Sequence, residues 1–196
     1  MIAQVIFNGL VTGMIMALPA LALTLIYGIL KFPNFAIGAM MTAGAYLAFI
    51  ANAWLGLPLV WAALFSAVIF AGIAVAIDQA VFRQLRERTA ITMLVASMGV
   101  SFVLENIFRF IFGNSAKSFV LQIARPQNFL GLRVNNEQMI TATVAISAML
   151  VVFVILRYTP LGRAMRAVAD NPARAAVRGI DRERIVRWTW ALAGVL

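Results

Sequence analysis

Charged residues divide the chain into long apolar runs. Ile2 to Leu30 carries no charge, and as a helix rising about 1.5 Å per residue it exceeds a hydrocarbon core of roughly 30 Å. Lys31 interrupts, and Phe32 to Ile77 is again uncharged and far too long for one helix. The turn-forming run Asn52–Pro58 divides it into a second and a third span. A polar break from Asp78 to Thr89, with Arg83, Arg86 and Arg88, precedes a fourth span, Ala90–Gly113. Asn114–Gln138 is polar and turn-rich, Met139–Leu156 is a fifth span, and Trp188–Leu196 opens a sixth. Nine residues reach only about 14 Å, half a bilayer, so the chain is expected to be a C-terminally truncated piece of a longer protein. The pattern predicts an all-α, polytopic transmembrane helical bundle forming one domain over residues 1–196, with about six spans, the last incomplete. Pro19 in mid-span predicts a kink, and Trp54 and Trp61 suit an interfacial aromatic belt.

The one long hydrophilic run is Arg157–Arg187, with eight arginines against Asp170, Asp181 and Glu183. At about 3 kcal/mol per arginine at the centre of a bilayer, this run belongs in water. Placing it on the cytoplasmic side puts Lys31 and the Arg83–Arg88 break there as well, and the inner connectors then hold twelve of the sixteen basic residues. The outer connector holds three (Lys117, Arg125 and Arg133), so the N-terminus is expected outside. The run also has internal structure. Leu161–Ala169 favours helix and carries Leu161, Met165 and Val168 on one side. Asn171 is a good N-cap, Pro172 suits the first helical position, and Gly179 supplies a left-handed stop. The resulting helix of about two turns is too short to be stable alone and needs a surface to lie against. It is either a basic membrane-surface loop or a docking element for a cytoplasmic partner.

Composition narrows the classes. The chain is 63% hydrophobic and 12% charged, with a mean hydropathy of +0.95, far from the roughly 25% charged residues of soluble domains. A net charge of +9 raises the question of nucleic acid, but half the basic residues sit in one loop beside apolar spans, which positive-inside topology accounts for. Cysteine and histidine are both absent, which removes thiolate chemistry and the commonest general base and metal ligand. No metal or catalytic constellation is expected. The N-terminal Met-Ile-Ala-Gln lacks the basic region of a cleavable signal peptide.

Three groups of residues remain as candidates. Gly28, Pro33, Asn34, Gly38 and Gly44 stand where a smooth helical hairpin wants leucine and alanine. They mark either a tight cytoplasmic turn with a small-residue packing face or a broken helix lining a translocation path. Glu105 and Arg109, four apart, suit an ion pair on one helix face. That pair either sits structurally near the outer membrane surface or faces the mouth of the path. Asp78 and the Arg83–Arg88 cluster read as the cytoplasmic boundary. Gly113–Ser118 is the nearest approach to a P-loop, but it lacks the glycine before lysine and the correct spacing.

Tyr27, Gly28, Asn34, Phe35, Ala36 and Gly38, followed by Gly44-Ala45-Tyr46, resemble the hallmark of the branched-chain amino acid ABC importer permeases. Arg157-Tyr158, Gly162-Arg163-Ala164, Arg166-Ala167 and Gly179-Ile180 resemble that family's ATPase-coupling region. Ile37 and Ala39 depart from it, standing where the family usually has a histidine and an acidic residue. The resemblance implies a bacterial inner-membrane, multi-pass permease working with cytoplasmic ABC ATPase subunits, a second permease subunit and a periplasmic substrate-binding protein. ATP would be used by the partner, with no cofactor on this chain. It also implies residues 157–187 as the coupling loop, with Gly162, Arg163, Arg166, Asp170, Asn171, Pro172 and Gly179 carrying the contact. Asn34, Gly38, Thr42, Tyr46 and Glu105 are then the expected path residues. Branched-chain or related small hydrophobic amino acids are the expected cargo, with urea or amides, or a secondary transporter or channel, as the alternatives.

Overall fold

The computed structural model describes residues 2–113, 127–129, 132–134 and 136–196. Helix α1 (Ile2–Leu30) runs through Pro19 as one element. Lys31 closes it in the left-handed region at φ 57°, its N–H bonded to the Tyr27 carbonyl at 2.9 Å. The link Phe32–Ala36 is tight because Asn34 Oδ1 accepts the Ala36 N–H at 3.0 Å, an Asx turn that does the work of a missing helical bond. Helix α2 (Ile37–Ala53) follows. The next turn is closed by Asn52 Nδ2, which donates to the Leu57 carbonyl at 2.9 Å, and Gly56 takes φ +66°. Helix α3 spans Leu59–Ile77.

The polar break expected at Asp78–Thr89 is not where the helix stops. The chain continues through a π-helical turn, Asp78–Phe82, in which the Arg83 N–H reaches the Asp78 carbonyl, and then through α4 (Arg83–Leu85). The break shrinks to the few residues before Thr89, whose side chain caps α5 (Ala90–Phe112) by accepting the Thr92 N–H. The physical reason is that Asp78 is fully buried and ion-paired rather than solvated. In the outer connector the described pieces are β1 (Gln127–Phe129) and β2 (Leu132–Val134), which pair antiparallel. Most of that connector, including Lys117, Arg125 and most of the Gly113–Ser118 run, lies outside the described residues.

Helix α6 (Asn136–Tyr158) ends at a sharp corner. There Thr159 caps α7 (Pro160–Asp170) by accepting the Gly162 N–H at 3.2 Å. The short α8 (Pro172–Val177) starts on Asn171, whose Oδ1 accepts the Arg174 N–H at 3.0 Å. It ends at Gly179 with φ +77°, as the capping pattern predicts. Helix α9 (Arg182–Val195) starts six residues earlier than the apolar run suggested, because Asp181 accepts the Glu183 N–H at 2.9 Å and caps it.

Among the described residues four helices are long and apolar enough to cross a membrane: Ile2–Leu30, Leu59–Leu85, Ala90–Phe112 and Gln138–Tyr158; α2 is a shorter apolar helix. The six segments read from the sequence therefore correspond to α1, α2, α3–α4, α5, α6 and the C-terminal half of α9. The architecture is a helical membrane bundle. Helix α9 packs antiparallel to α3, with Glu183 meeting Arg86 and Gly194 meeting the Ala71–Ala74 turn. A Cβ at Gly194 would lie 2.8 Å from that of Ala74, so this close crossing depends on the missing side chain. The core runs from Ile26 and Phe32 through Phe82 to Val186 and Trp190.

Candidate functional site

The expected path residues fall into two environments. Gly38 and Thr42 are exposed along one side of α2, and the Thr42 hydroxyl donates back to the Gly38 carbonyl at 3.1 Å. Helix α5 runs parallel beside α2. At one end the Phe35 N–H donates to Ser97 Oγ at 3.1 Å. At the other, Tyr46 stacks on Phe108 and Phe112 with ring centroids 5.1 and 4.7 Å away. Glu105 lies on α5 between these contacts, exposed. Its expected ion pair with Arg109 is not formed: Oε1 instead accepts from Ser101 Oγ at 3.5 Å, and the ion pairs among the described residues lie elsewhere. The four-residue spacing permits a pair, but both side chains are free to extend outward. Asn34 is buried at 2% exposure and shapes the link between α1 and α2. It stands apart from the exposed strip of Gly38, Thr42 and Glu105, and its Nδ2 has no partner among the described residues.

A separate cavity of about 240 Å³ opens between α1, α2, α3 and α9, lined by Pro19, Ile37, Met40, Gly44, Ser66 and Phe70 among others. Ile37, one of the two departures from the family pattern, faces this apolar space. The other, Ala39, is buried.

The residues expected to carry coupling cluster at the end of the bundle where α1 stops. Gly162 is buried in the α6–α7 corner, where an added Cβ would lie 2.6 Å from the Ile155 carbonyl oxygen. Arg166 donates to the Leu156 carbonyl and braces the same corner. Arg163 and Asp170 are exposed on α7, while Met165 and Val168 face the core. On α8 only Ala175 is buried. Val177 is 90% exposed, between the exposed Arg174 and Arg178.

One constellation was not legible. Arg86, with a side chain only 5% exposed, pairs with the fully buried Asp78 and with Glu183 Oε1 at 2.5 Å. Arg83 adds a more exposed contact to Glu183 Oε2 at 3.3 Å. Asp78, Phe82 and Arg86 repeat every four residues, so a shared face was readable. Glu183, 97 residues beyond Arg86, carried no such signal. Immediately beneath, Phe82 stacks on Trp190 at 4.9 Å and packs on Phe32 at 5.5 Å.

The profile of a family described as the branched-chain amino acid transport system / permease component matches residues 5–196. The chain belongs to that family. The permease is 29% identical, over 98% of its length and 69% of the relative's, to the high-affinity branched-chain amino acid transport system permease protein LivH of Escherichia coli (strain K12). It is 28% identical to the corresponding protein BraD of Pseudomonas aeruginosa, covering 98% of this chain and 67% of that one. A probable branched-chain amino acid transport permease protein LivH of Methanocaldococcus jannaschii is 24% identical, over 98% and 63% of the two chains. No solved structure matches. The family accounts for the multi-pass helices and makes this permease a transport subunit.

Proposed function

We propose that this permease carries branched-chain or related small apolar amino acids across the bacterial inner membrane as the transmembrane subunit of an ABC importer. The energy comes from ATP hydrolysed on cytoplasmic ATPase subunits, and this chain binds no cofactor of its own. A second permease subunit completes the passage, and a periplasmic binding protein delivers the solute. The reading draws on the family and on what its relatives are named for. The observation that carries it here is α8: a capped helix six residues long, standing out from the basic end of the bundle with Val177 almost fully exposed. Its neighbours α7 and α9 are anchored in the core through Met165, Val168, Ile185 and Val186, so a push on α8 is resisted by packed helices.

The exposed strip of Gly38, Thr42 and Glu105, with the half-buried Ser101 beside it, supports a wall of the passage. An intramembrane carboxylate is expensive in lipid and tolerable facing water or another subunit. The mostly uncharged lining suits a small zwitterion whose side chain is apolar.

The test is uptake of labelled leucine into proteoliposomes holding the full complex. Uptake is expected to require ATP and the ATPase, to survive a protonophore, and to vanish with ATPase co-purification when Pro172–Arg178 is deleted while membrane insertion persists. Uptake abolished by the protonophore and indifferent to the ATPase would instead mean a secondary transporter.

A further inference from the structure

The ion cluster of Asp78, Arg86 and Glu183 has no place in a simple membrane boundary. Boundary charges are solvated, yet Asp78 is fully buried and the Arg86 side chain is 5% exposed. Arg86 and Asp78 hold each other firmly, because leaving either unpaired out of water is strongly unfavourable, and Arg86 reaches from there to Glu183, whose side chain is 40% exposed. It lies where α3 passes through a π-helical turn, an irregularity often found at functional positions. It joins elements with different attachments. Asp78 and Arg86 belong to the span that begins at Leu59, whereas Glu183 sits in the first turn of α9. From Glu183 to α8 the chain is short and tied down: the Ile180 N–H bonds to the Ala175 carbonyl at 3.1 Å, and Asp181 caps α9. On the membrane side the contact passes without a gap from Trp190 to Phe82 to Phe32. Phe32 opens the link that Asn34 shapes and that donates through Phe35 to Ser97 on α5.

We propose that Arg86, clamped between Asp78 and Glu183, is a rigid strut that passes displacement of α8 through the α9 N-terminus to α3 and the α1–α2 link. The proposal rests on α8 being the ATPase contact. It makes Arg86 and Glu183 positioning residues: neither touches solute or nucleotide, and their loss separates hydrolysis from uptake. The Asp78–Arg86 half of the strut stays closed throughout the cycle, because opening it would strand both groups in an apolar interior.

The test uses the complete transporter in proteoliposomes and reads leucine taken up per ATP hydrolysed. Glu183→Ala removes both oxygens that hold Arg86 and Arg83, cutting the link to α9, and leaves the Asp78–Arg86 pair intact. It is expected to keep ATPase association and hydrolysis within twofold of the unaltered complex and to lower uptake per ATP at least fivefold. Because the chain contains no cysteine, a second variant tests the same point in a single preparation. Arg83→Cys with Glu183→Cys, bridged by a bifunctional methanethiosulfonate, is expected to transport with normal coupling and to uncouple when the bridge is reduced. A ratio unchanged in Glu183→Ala, or a bridged pair whose coupling ignores reduction, overturns the strut. If uptake by the unaltered complex proves independent of ATP, it is instead the importer reading that fails.

Discussion

Position 162 can carry no side chain. An alanine Cβ there would lie 2.5 Å from the Leu156 carbonyl carbon and 2.6 Å from the Ile155 carbonyl oxygen, and backbone cannot swing aside as a long side chain does. Gly162→Ala should therefore open the α6–α7 corner and lower stability by about 1–3 kcal/mol. A reduced melting temperature in detergent would register it. Gly72→Ala, with nothing within 4 Å of the new methyl, should stay within about 0.5 kcal/mol. The Asp78–Arg86 pair makes the opposite kind of claim, about charge. Arg86→Ala strands a buried carboxylate and should cost about 3–5 kcal/mol. Removing Asp78 as well should recover most of that loss. A double-mutant cycle measures the coupling directly, and near-additive losses would contradict the burial seen for the pair. These two residues also show where sequence reading stops. Asp78 reads as a boundary charge because a lone aspartate after an apolar run normally is one. Its burial depends on Arg86 folding back and on Glu183 arriving from a distant helix, a tertiary fact with no local pattern.

Among the elements, α8 was the most readable from sequence, because its signals are local. Asn171, Pro172 and Gly179 each satisfy or release specific backbone groups at a helix end, and all three occupy the expected places. The corner at Thr159 and the start of α9 at Asp181 use the same chemistry, yet α9 was expected to begin only at Trp188. Counting apolar residues located its membrane portion and missed the charged first turns. Helix α3 went wrong in the other direction, ended early at Asp78. Expecting an ion pair from the spacing of Glu105 and Arg109 failed for a further reason: proximity on a helix permits a pair, and side-chain entropy decides against it when nothing confines the two groups. The cap on α8 leads to a graded prediction. Asn171→Ala removes the acceptor for the Arg174 N–H and should cost about 1 kcal/mol of helix stability, whereas Asn171→Gly should cost only a few tenths. If α8 must be helical to seat in the ATPase, Asn171→Ala should weaken subunit association about fivefold and the glycine variant much less. Equal weakening by both would mean that the asparagine side chain is contacted directly.

For the whole molecule the deciding question is which way the basic end faces. Lys31 terminates α1, Phe32 beside it packs on Phe82, and Arg83 and Arg86 meet Glu183 at the start of α9. The connectors holding twelve of the sixteen basic residues are thus gathered at one end. The α2–α3 turn, with Trp54 and Leu55 exposed, lies one helix length away. The positive-inside rule turns this asymmetry into a prediction: the basic end should face the cytoplasm. A cysteine-free chain allows a clean check with single cysteines and a membrane-impermeant maleimide. Val177→Cys should label in inside-out vesicles and be silent in right-side-out ones, and Leu55→Cys should do the reverse. Adding purified ATPase to the inside-out vesicles should then protect Val177→Cys, because a side chain 90% exposed in this chain becomes covered only if something seats on it. Labelling of Val177→Cys from the outer face would place α8 beyond reach of any cytoplasmic motor. The strut beneath it would then have nothing to transmit.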